Sequence, residues 1–185
     1  MDKIQLLSGV LTKTGDLLEG TKKDMKELPT PCSEFRVEDL VNHMVGWTRV
    51  FDANCNSRSI EGDANQYECK IHPASEYKAA ATSLLDGWKK FGFDRKVQLM
   101  SSELPAESVF NMTVMEAATH GWDLAVATGQ PIPYTEQEAQ EILTRAVATL
   151  PAQYRGTDKP FAEIVEVAAS APAIDRLAGF MGRKP

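Results

Sequence analysis

The amino-acid sequence predicts an all-α fold, in which a helical bundle is followed by a short C-terminal extension. Apolar residues recur at the spacing of a helix face along most of the chain, residues that begin or end helices flank these segments, and strand-like alternation is scarce. With 185 residues, of which 43% are hydrophobic and 25% charged, the chain is long enough to bury a core as one domain.

The first helix is predicted over residues 3–19, and Gly20 is suited to ending it. Pro29 and Pro31 then stiffen a connector, because proline disfavours a continuing helix. A second helix is predicted from about Val37. Each of these helices carries an apolar stripe, which consists of Ile4, Leu7, Val10, Leu11, Thr14 and Leu18 in the first and of Val37, Leu40, Val41, Met44, Val45 and Phe51 in the second.

A long loop is predicted from about Asn54 to Pro73, because this segment is polar and has neither a helical nor a strand period. Loops of this length often act as lids or binding segments. A third helix is predicted from Ser75 to about Phe91, and residues 97–104 are weakly extended at best. The buried face of the third helix is expected to consist of Tyr77, Ala81, Leu84, Trp88 and Phe91.

The fourth helix is predicted from near Ala106 to Gly129, a residue suited to the left-handed position after a helix end. A fifth helix runs from Thr135, in a T-x-x-E capping box with Glu138, to about Leu150. A turn at "YRGTDKP" precedes a short closing helix over 172–181, with its proline at the first helical position. We therefore expect residues 1–150 to form a bundle and residues 151–185 to pack on it within a single domain.

Composition and charge exclude several classes of function. The net charge of −6 and the absence of a basic run argue against nucleic-acid and anionic-membrane partners. The N-terminal segment has polar residues in every turn, so it is neither a signal peptide nor a membrane span, and we expect a cytoplasmic protein. The three cysteines are odd in number and lack a C-x-x-C spacing, which favours reduced thiols over a disulfide framework or a zinc ribbon.

One polar pair stands on the core face of the predicted fourth helix. Glu116 and His120 are four residues apart in "MEAATHGWDLAVATG", and residues at that spacing are neighbours on a helix. A carboxylate that faces a core is costly unless it is paired or bound to a metal. His43 lies at the edge of the apolar stripe of the second helix, so two helices direct two histidines and one carboxylate toward the interior.

Two histidines and one glutamate with open coordination positions suit a catalytic zinc, and they also suit non-haem iron. Spacing alone leaves other interpretations open. An E-x-x-x-H pair is commonly solvated or simply hydrogen-bonded, and a single histidine beside an apolar stripe is commonly a hydrogen-bonded core residue.

The block "TPCSEFRVEDLVNHMVGW", followed far downstream by "EAATHGWDLAVATGQP", resembles the actinobacterial metal-binding proteins related to mycothiol-dependent maleylpyruvate isomerase, within the DinB-like superfamily. The tail "APAIDRLAGFMGRKP" resembles the close of the short members of that group. The resemblance implies a DinB-like four-helix bundle that holds a divalent metal, usually Zn²⁺, with Fe²⁺ or Ni²⁺ as alternatives. Carried over by motif, the metal ligands are His43, Glu116 and His120.

The isomerase that the chain resembles continues into a second domain that helps to build its active site, whereas this sequence ends at Pro185. The resemblance therefore implies the metal rather than the isomerisation of maleylpyruvate.

Two residues near the candidate ligands have competing interpretations. Asp123 follows His120 by three residues and is expected either to orient that histidine or to form a surface pair with Arg49 or another base. Cys32 precedes the second helix, where a helix N-terminus can lower the pKa of a thiol, but a structural role is favoured.

Four other residues have a simple interpretation and a functional one. His72 is expected to be exposed rather than a fourth ligand, and Trp122 is expected to pack or to lie at an interface. Trp47 is expected in the core, with the wall of a pocket as the alternative. Arg183 is expected in a frayed tail, with the binding of an anionic substrate group as the alternative.

Three functions fit these observations. In the first, the metal activates a low-molecular-weight thiol, mycothiol in an actinobacterial source, for S-transfer or thiol-assisted isomerisation. In the second, the metal supports hydrolysis or a Lewis-acid rearrangement in a biosynthetic pathway. In the third, the protein is a metal-stabilised binding module without catalysis. The expected partners are a small-molecule substrate and a thiol cofactor that the 54–73 loop is long enough to cover, and the expected oligomeric state is a monomer or a homodimer.

Overall fold

Helices make up about 60% of the chain in the computed structural model, which describes residues 1–60, 62–159 and 161–185. The prediction of an all-α, DinB-like fold is therefore confirmed. The elements follow in the order α1 (Lys3–Gly20), α2 (Val37–Cys55), α3 (Pro73–Phe91), β1 (Lys96–Leu99), β2 (Ser102–Pro105), α4 (Ala106–Thr128), α5 (Glu136–Thr149) and α6 (Ala173–Phe180).

The first four helices enclose the core. Helix α2 packs on α3 and α4, and α1 packs on the same two helices. The stripes predicted for α1 and α2 line this core, with Ile4 partly buried at its margin. Helix α4 is buried around most of its circumference, as is typical of a central helix. The largest fully buried side chains include Trp88, Tyr77, Phe110, Leu40, Leu84 and Leu124.

Several predicted helix ends agree with the structure to within a residue or two. Gly129 adopts φ 67° immediately after α4, and Thr135 and Glu138 form both hydrogen bonds of the capping box at the start of α5. Helix α3 begins earlier than predicted, with Pro73 in its first turn. Pro172 is the N-cap of α6 rather than its first helical residue.

Two predictions about the chain between α3 and α4 are wrong. Residues 96–105 form an antiparallel hairpin in which Leu99 pairs with Ser102, whereas only weak extension was expected. Each strand has only four residues, too few to give a clear alternating pattern, yet Val97 and Leu99 are buried. Phe91 is 41% exposed instead of buried, because α3 ends there and its ring lies beneath the cations of Lys90 and Arg95.

The predicted 54–73 loop, of which the structure describes every residue except Glu61, contacts α2. The backbone N–H of Cys69 donates to Asn42 Oδ1 at 3.0 Å, and the indole N–H of Trp47 donates to Asn65 Oδ1 at 3.0 Å. Gly46 permits this approach, because a Cβ there would lie 2.5 Å from the carbonyl oxygen of Ala64. Residues 64–69 of the loop are therefore anchored to α2.

Helix α6 closes the chain against α5 and α4. The Glu136 carboxylate accepts a hydrogen bond from the backbone N–H of Ala173 at 2.9 Å, and Trp122 Nε1 donates to Asp175 at 3.3 Å. Ahead of α6, the turn predicted at "YRGTDKP" is present up to residue 159, with Gly156 at φ 118°, while Pro160 lies outside the described residues. Among the described helices, none combines the length and the apolar character needed to cross a bilayer.

Candidate metal centre

Three polar side chains from α2 and α4 converge at the interface between these helices. His43 Nε2 lies 2.8 Å from Glu116 Oε1, and His120 Nε2 lies 3.3 Å from the same oxygen. One potential ligand atom from each residue falls within 4.8 Å of the others. The spacing of four residues on α4 places Glu116 and His120 on one face, and the packing of α2 against α4 brings His43 to them.

The chemistry and spacing of these atoms fit a divalent metal. Two imidazole nitrogens and one carboxylate oxygen form a ligand set that both Zn²⁺ and Fe²⁺ bind. Atoms bound to one tetrahedral ion at about 2.0–2.2 Å lie roughly 3.3–3.6 Å apart. The separation of His120 from Glu116 is 3.3 Å, and the 2.8 Å between His43 and Glu116 requires only a small displacement of the side chains.

Asp123 orients the ring of His120. Its fully buried carboxylate lies 3.0 Å from His120 Nδ1. Because a carboxylate only accepts hydrogen bonds, Nδ1 carries the hydrogen and Nε2 faces Glu116 and His43. The alternative of a surface pair with Arg49 or another base is wrong, because Asp123 is fully buried and the Arg49 guanidinium lies instead over the ring of Tyr67 at 4.1 Å.

Aromatic rings hold His43. The ring centroid of Phe35 lies 4.8 Å from that of His43, and the ring of Trp47 lies 6.3 Å away on the next turn of α2. Among the described residues, the buried Nδ1 of His43 has no hydrogen-bond partner, so ring packing and the contact of Nε2 with Glu116 set the orientation of the ring. Trp47 is only partly buried and packs against the core beside this histidine, so it is not the fully buried core residue expected from the sequence, and the pocket wall stays a prediction.

The charges of the site are strongly coupled. Burial by itself would raise the pKa of Glu116, but the charge and hydrogen bond of His120, together with His43, hold it well below its usual range. Burial by itself would lower the pKa of His120, but Glu116 and Asp123 raise it to about 9. The Glu116 side chain remains 24% exposed against 9% for His120, so solvent reaches the site on the glutamate side.

Cys32 lies beside the site but does not have the character of a nucleophile. Its Sγ falls within 4.8 Å of potential ligand atoms of His120 and Asp123, so sulfur from the connector approaches the same histidine. Burial raises the pKa of the thiol, and the nearby charge of Arg183 opposes this only in part. The idea of a thiol pKa lowered by a helix N-terminus is wrong, because α2 begins at Val37, five residues further on.

Arg183 contradicts both of its sequence interpretations. Its side chain is only 12% exposed, and its Nη2 donates to Asp123 Oδ2 at 2.9 Å, so it is neither frayed nor free for an anionic substrate group. Sequence reasoning could not find this contact, because the two residues are 60 positions apart and share no motif. Phe35 was missed for a related reason, since a lone aromatic in a connector carries no periodicity.

The other two residues lie where the simple interpretations placed them. His72 is exposed at the N-cap of α3, away from the three converging side chains. Trp122 is buried on the opposite face of α4, against α6.

Comparison with known proteins agrees with the resemblance seen in the sequence. A family model described as "Mycothiol maleylpyruvate isomerase N-terminal domain" matches residues 9–125, which include all three candidate ligands and Asp123. Two uncharacterised proteins of Mycobacterium tuberculosis, from strains CDC 1551 / Oshkosh and ATCC 25618 / H37Rv, are each 32% identical over 171 residues, which is 90% of this chain and 90% of each relative. No solved structure is significantly similar to the chain.

Proposed function

The chain belongs to the mycothiol maleylpyruvate isomerase N-terminal domain family, and from this premise we propose that it is an enzyme that uses a divalent metal to activate a low-molecular-weight thiol. The metal would be held by His43, Glu116 and His120, and Zn²⁺ is the favoured ion. The thiol would be mycothiol or a close analogue, and the reaction an S-transfer or a thiol-assisted isomerisation of a small electrophile.

The convergence of His43, Glu116 and His120 on one point between α2 and α4 is the observation that carries this proposal. Three protein ligands leave room for an exogenous one, which is the arrangement of catalytic rather than structural zinc sites. The exposed edge of Glu116 gives that ligand a route from solvent.

The charge of the ligand set favours an anionic sulfur. Glu116 supplies one negative charge, and two neutral imidazoles supply none, so a dication would keep a surplus positive charge. When bound, the metal would lower the pKa of a coordinated thiol, which starts near 8.5 and therefore needs far less help to ionise than water at 15.7. In the metal-free protein, burial raises the pKa of the chain's own thiol at Cys32.

The surrounding residues define the space open to the substrate. Phe35 and Trp47 flank His43 with apolar surface, and Asp123 keeps the nitrogen of His120 turned toward the centre. In a transfer reaction, a thiolate held there would form a carbon–sulfur bond while a leaving group departs from the same carbon with its electron pair, and the sulfur would stay on the product. In an isomerisation, the thiolate would add to a conjugated carbon–carbon double bond, the π electrons would move onto the conjugated acceptor group, and rotation about the resulting single bond would be followed by return of those electrons and departure of the thiolate.

Metal analysis of purified variants tests the ligand set. Wild type is expected to hold about one equivalent of metal, and His43→Ala and His120→Ala are expected to lose most of it. His72→Ala is the matched control, since it removes the exposed histidine and is expected to retain the metal. If the His43→Ala and His120→Ala proteins keep the same metal content as wild type, the ligand assignment is wrong.

Cobalt substitution tests the thiol. Adding mycothiol to the cobalt-loaded protein is expected to produce a sulfur-to-cobalt charge-transfer band, and simpler thiols serve as comparison. No band at millimolar mycothiol, with cobalt still bound, would contradict the thiol proposal and favour a hydrolytic or rearrangement reaction at the same metal.

A further inference from the structure

The guanidinium of Arg183 reaches the buried carboxylate that orients His120. Its Nη2 donates to Asp123 Oδ2 at 2.9 Å, and its Nε lies 3.2 Å from both carboxylate oxygens. We infer that Arg183 is a positioning residue for the metal centre: it holds the Asp123 carboxylate, and through that carboxylate it sets the orientation of His120. This inference rests on the proposed metal site and adds a residue beyond the 9–125 region of the family match.

The hydrogen bonds explain why a cation is needed at this place. Asp123 is fully buried, and a buried carboxylate is costly unless charged or polar groups surround it. Its Oδ2 lies within hydrogen-bond distance of both Arg183 Nη2 and His120 Nδ1, at 2.9 and 3.0 Å. Because guanidinium only donates, it keeps the carboxylate an acceptor, so the ring nitrogen that faces Asp123 is the donor and Nε2 is left to bind a metal.

The turn at the end of α6 places the Arg183 side chain next to Asp123. The backbone N–H of Arg183 donates to the carbonyl oxygen of Ala178 at 2.9 Å, and Gly182 adopts φ 84° to make that turn. Space is tight as well, since a Cβ on Gly182 would lie 2.6 Å from the Cβ of Ala162. Arg183 Nη1 donates to the carbonyl oxygen of Met181 at 2.7 Å, which fixes the plane of the guanidinium.

The contacts of the Arg183 guanidinium favour a positioning role over the binding of a substrate. The Nε, Nη1 and Nη2 atoms of Arg183 all hydrogen-bond within the protein, to Asp123 and Met181. The guanidinium is therefore committed to the ligand-orienting carboxylate. The docking of α6 on α4 and α5 thus sets the geometry of a site formed by α2 and α4.

Metal affinity measured by competition with a chromophoric chelator tests the inference. Arg183→Gln is expected to weaken zinc binding about 10- to 100-fold, the usual effect of losing a group that orients a metal-bound histidine. Arg183→Lys restores the positive charge without the two-nitrogen contact and is expected to recover part of the affinity. Arg176→Gln is the matched control on α6, since that side chain contacts Gln140 and Ala171, and it is expected to bind zinc like wild type.

A double-mutant cycle distinguishes positioning through Asp123 from general loss of structure. In an Asp123→Asn background, Arg183→Gln is expected to cause little further loss of affinity, whereas a structural role would lower affinity by the same factor in both backgrounds. Two results would overturn this inference alone, provided that the wild-type protein binds zinc. The first is a zinc dissociation constant of Arg183→Gln within twofold of the wild-type value, and the second is an equal loss of affinity in both backgrounds. Failure of the wild-type protein to bind zinc would overturn the proposed function as well.

Discussion

The pair of Glu116 and His120 makes the stability of the metal-free protein depend on pH. The pKa of His120 is raised from 6.5 to about 9, so its contribution is fully present below pH 6.5 and is lost as the pH rises through 9. The pKa of Glu116 is lowered from 4.5, so its contribution is present above pH 4.5 and is lost as the pH falls. Between pH 4.5 and pH 6.5, therefore, both groups contribute fully to the stability of the folded state.

We expect the free energy of unfolding of the metal-free protein to fall between pH 6.5 and 9. A pKa difference of one between the folded and unfolded states corresponds to about 1.4 kcal/mol, so the decline is on the order of 3 kcal/mol. Urea unfolding in the presence of a chelator measures it. His120→Gln should flatten the profile and His72→Gln should leave it unchanged, and a stability that is constant or rising over this range in wild type would contradict the expectation.

Gly121, in the "HGWDLA" motif, is required by a close helix contact. A Cβ at this position would overlap the hydroxyl oxygen of Tyr134, which is hydrogen-bonded to Thr14 Oγ1 at 2.7 Å. We expect Gly121→Ala to destabilise the protein by about 1–3 kcal/mol, because overpacking outweighs the roughly 1 kcal/mol that alanine gains in a helix. Denaturant unfolding measures the change.

Gly15→Ala is the matched control, because its Cβ would meet the flexible side chain of Lys78 at 3.1 Å. Its stability is expected to equal or exceed that of wild type. Adding Tyr134→Phe to Gly121→Ala should recover part of the loss, and a Gly121→Ala protein as stable as wild type would show that the contact is not tight.

At the scale of elements, prediction from the sequence succeeded where a helix is long and carries end signals. The stripes of α1 and α2 and the capping box of α5 needed only local information. The hairpin and the exposure of Phe91 depend on where an element meets the edge of the core, which periodicity does not report. The pairing of Asp123 with Arg183 depends on the path of the chain between α5 and α6, and no local pattern encodes it.

The capping box of α5 gives a prediction for a single element. Thr135 Oγ1 accepts a hydrogen bond from the backbone N–H of Glu138 at 3.2 Å, and the Glu138 carboxylate accepts one from the N–H of Thr135 at 2.8 Å. Replacing Thr135 with alanine should lower the free energy of unfolding by about 1 kcal/mol. Thr135→Ser should retain most of the stabilisation that the cap contributes. Thr144→Ala, at an exposed position within α5, should have little effect on stability. Equal effects of the two alanine variants would contradict this role of the cap.

For the whole molecule, the site joins α2 to α4, so a metal that binds only the folded chain should stabilise the whole domain. At 100 times the dissociation constant the gain is about 2.7 kcal/mol. In a domain of this size the midpoint of thermal unfolding should rise by roughly 5–10 °C with zinc. Scanning calorimetry with zinc and with a chelator measures the shift.

Calcium should give no such shift, because it prefers sets of oxygen ligands. His43→Ala should abolish the response to zinc, since α2 then contributes no ligand. A zinc shift that persists in His43→Ala would place the metal elsewhere in the molecule.

The connection of α2 to α4 also affects the rate at which the protein unfolds. His43 and Glu116 are 73 positions apart, so the ligand set is complete only after a long stretch of chain has closed and both helices have docked. Interactions absent from the folding transition state slow unfolding and leave the folding rate almost unchanged. Zinc should therefore lengthen the lifetime of each folded molecule without hastening its formation, and protease resistance under conditions limited by the opening rate should increase with metal loading.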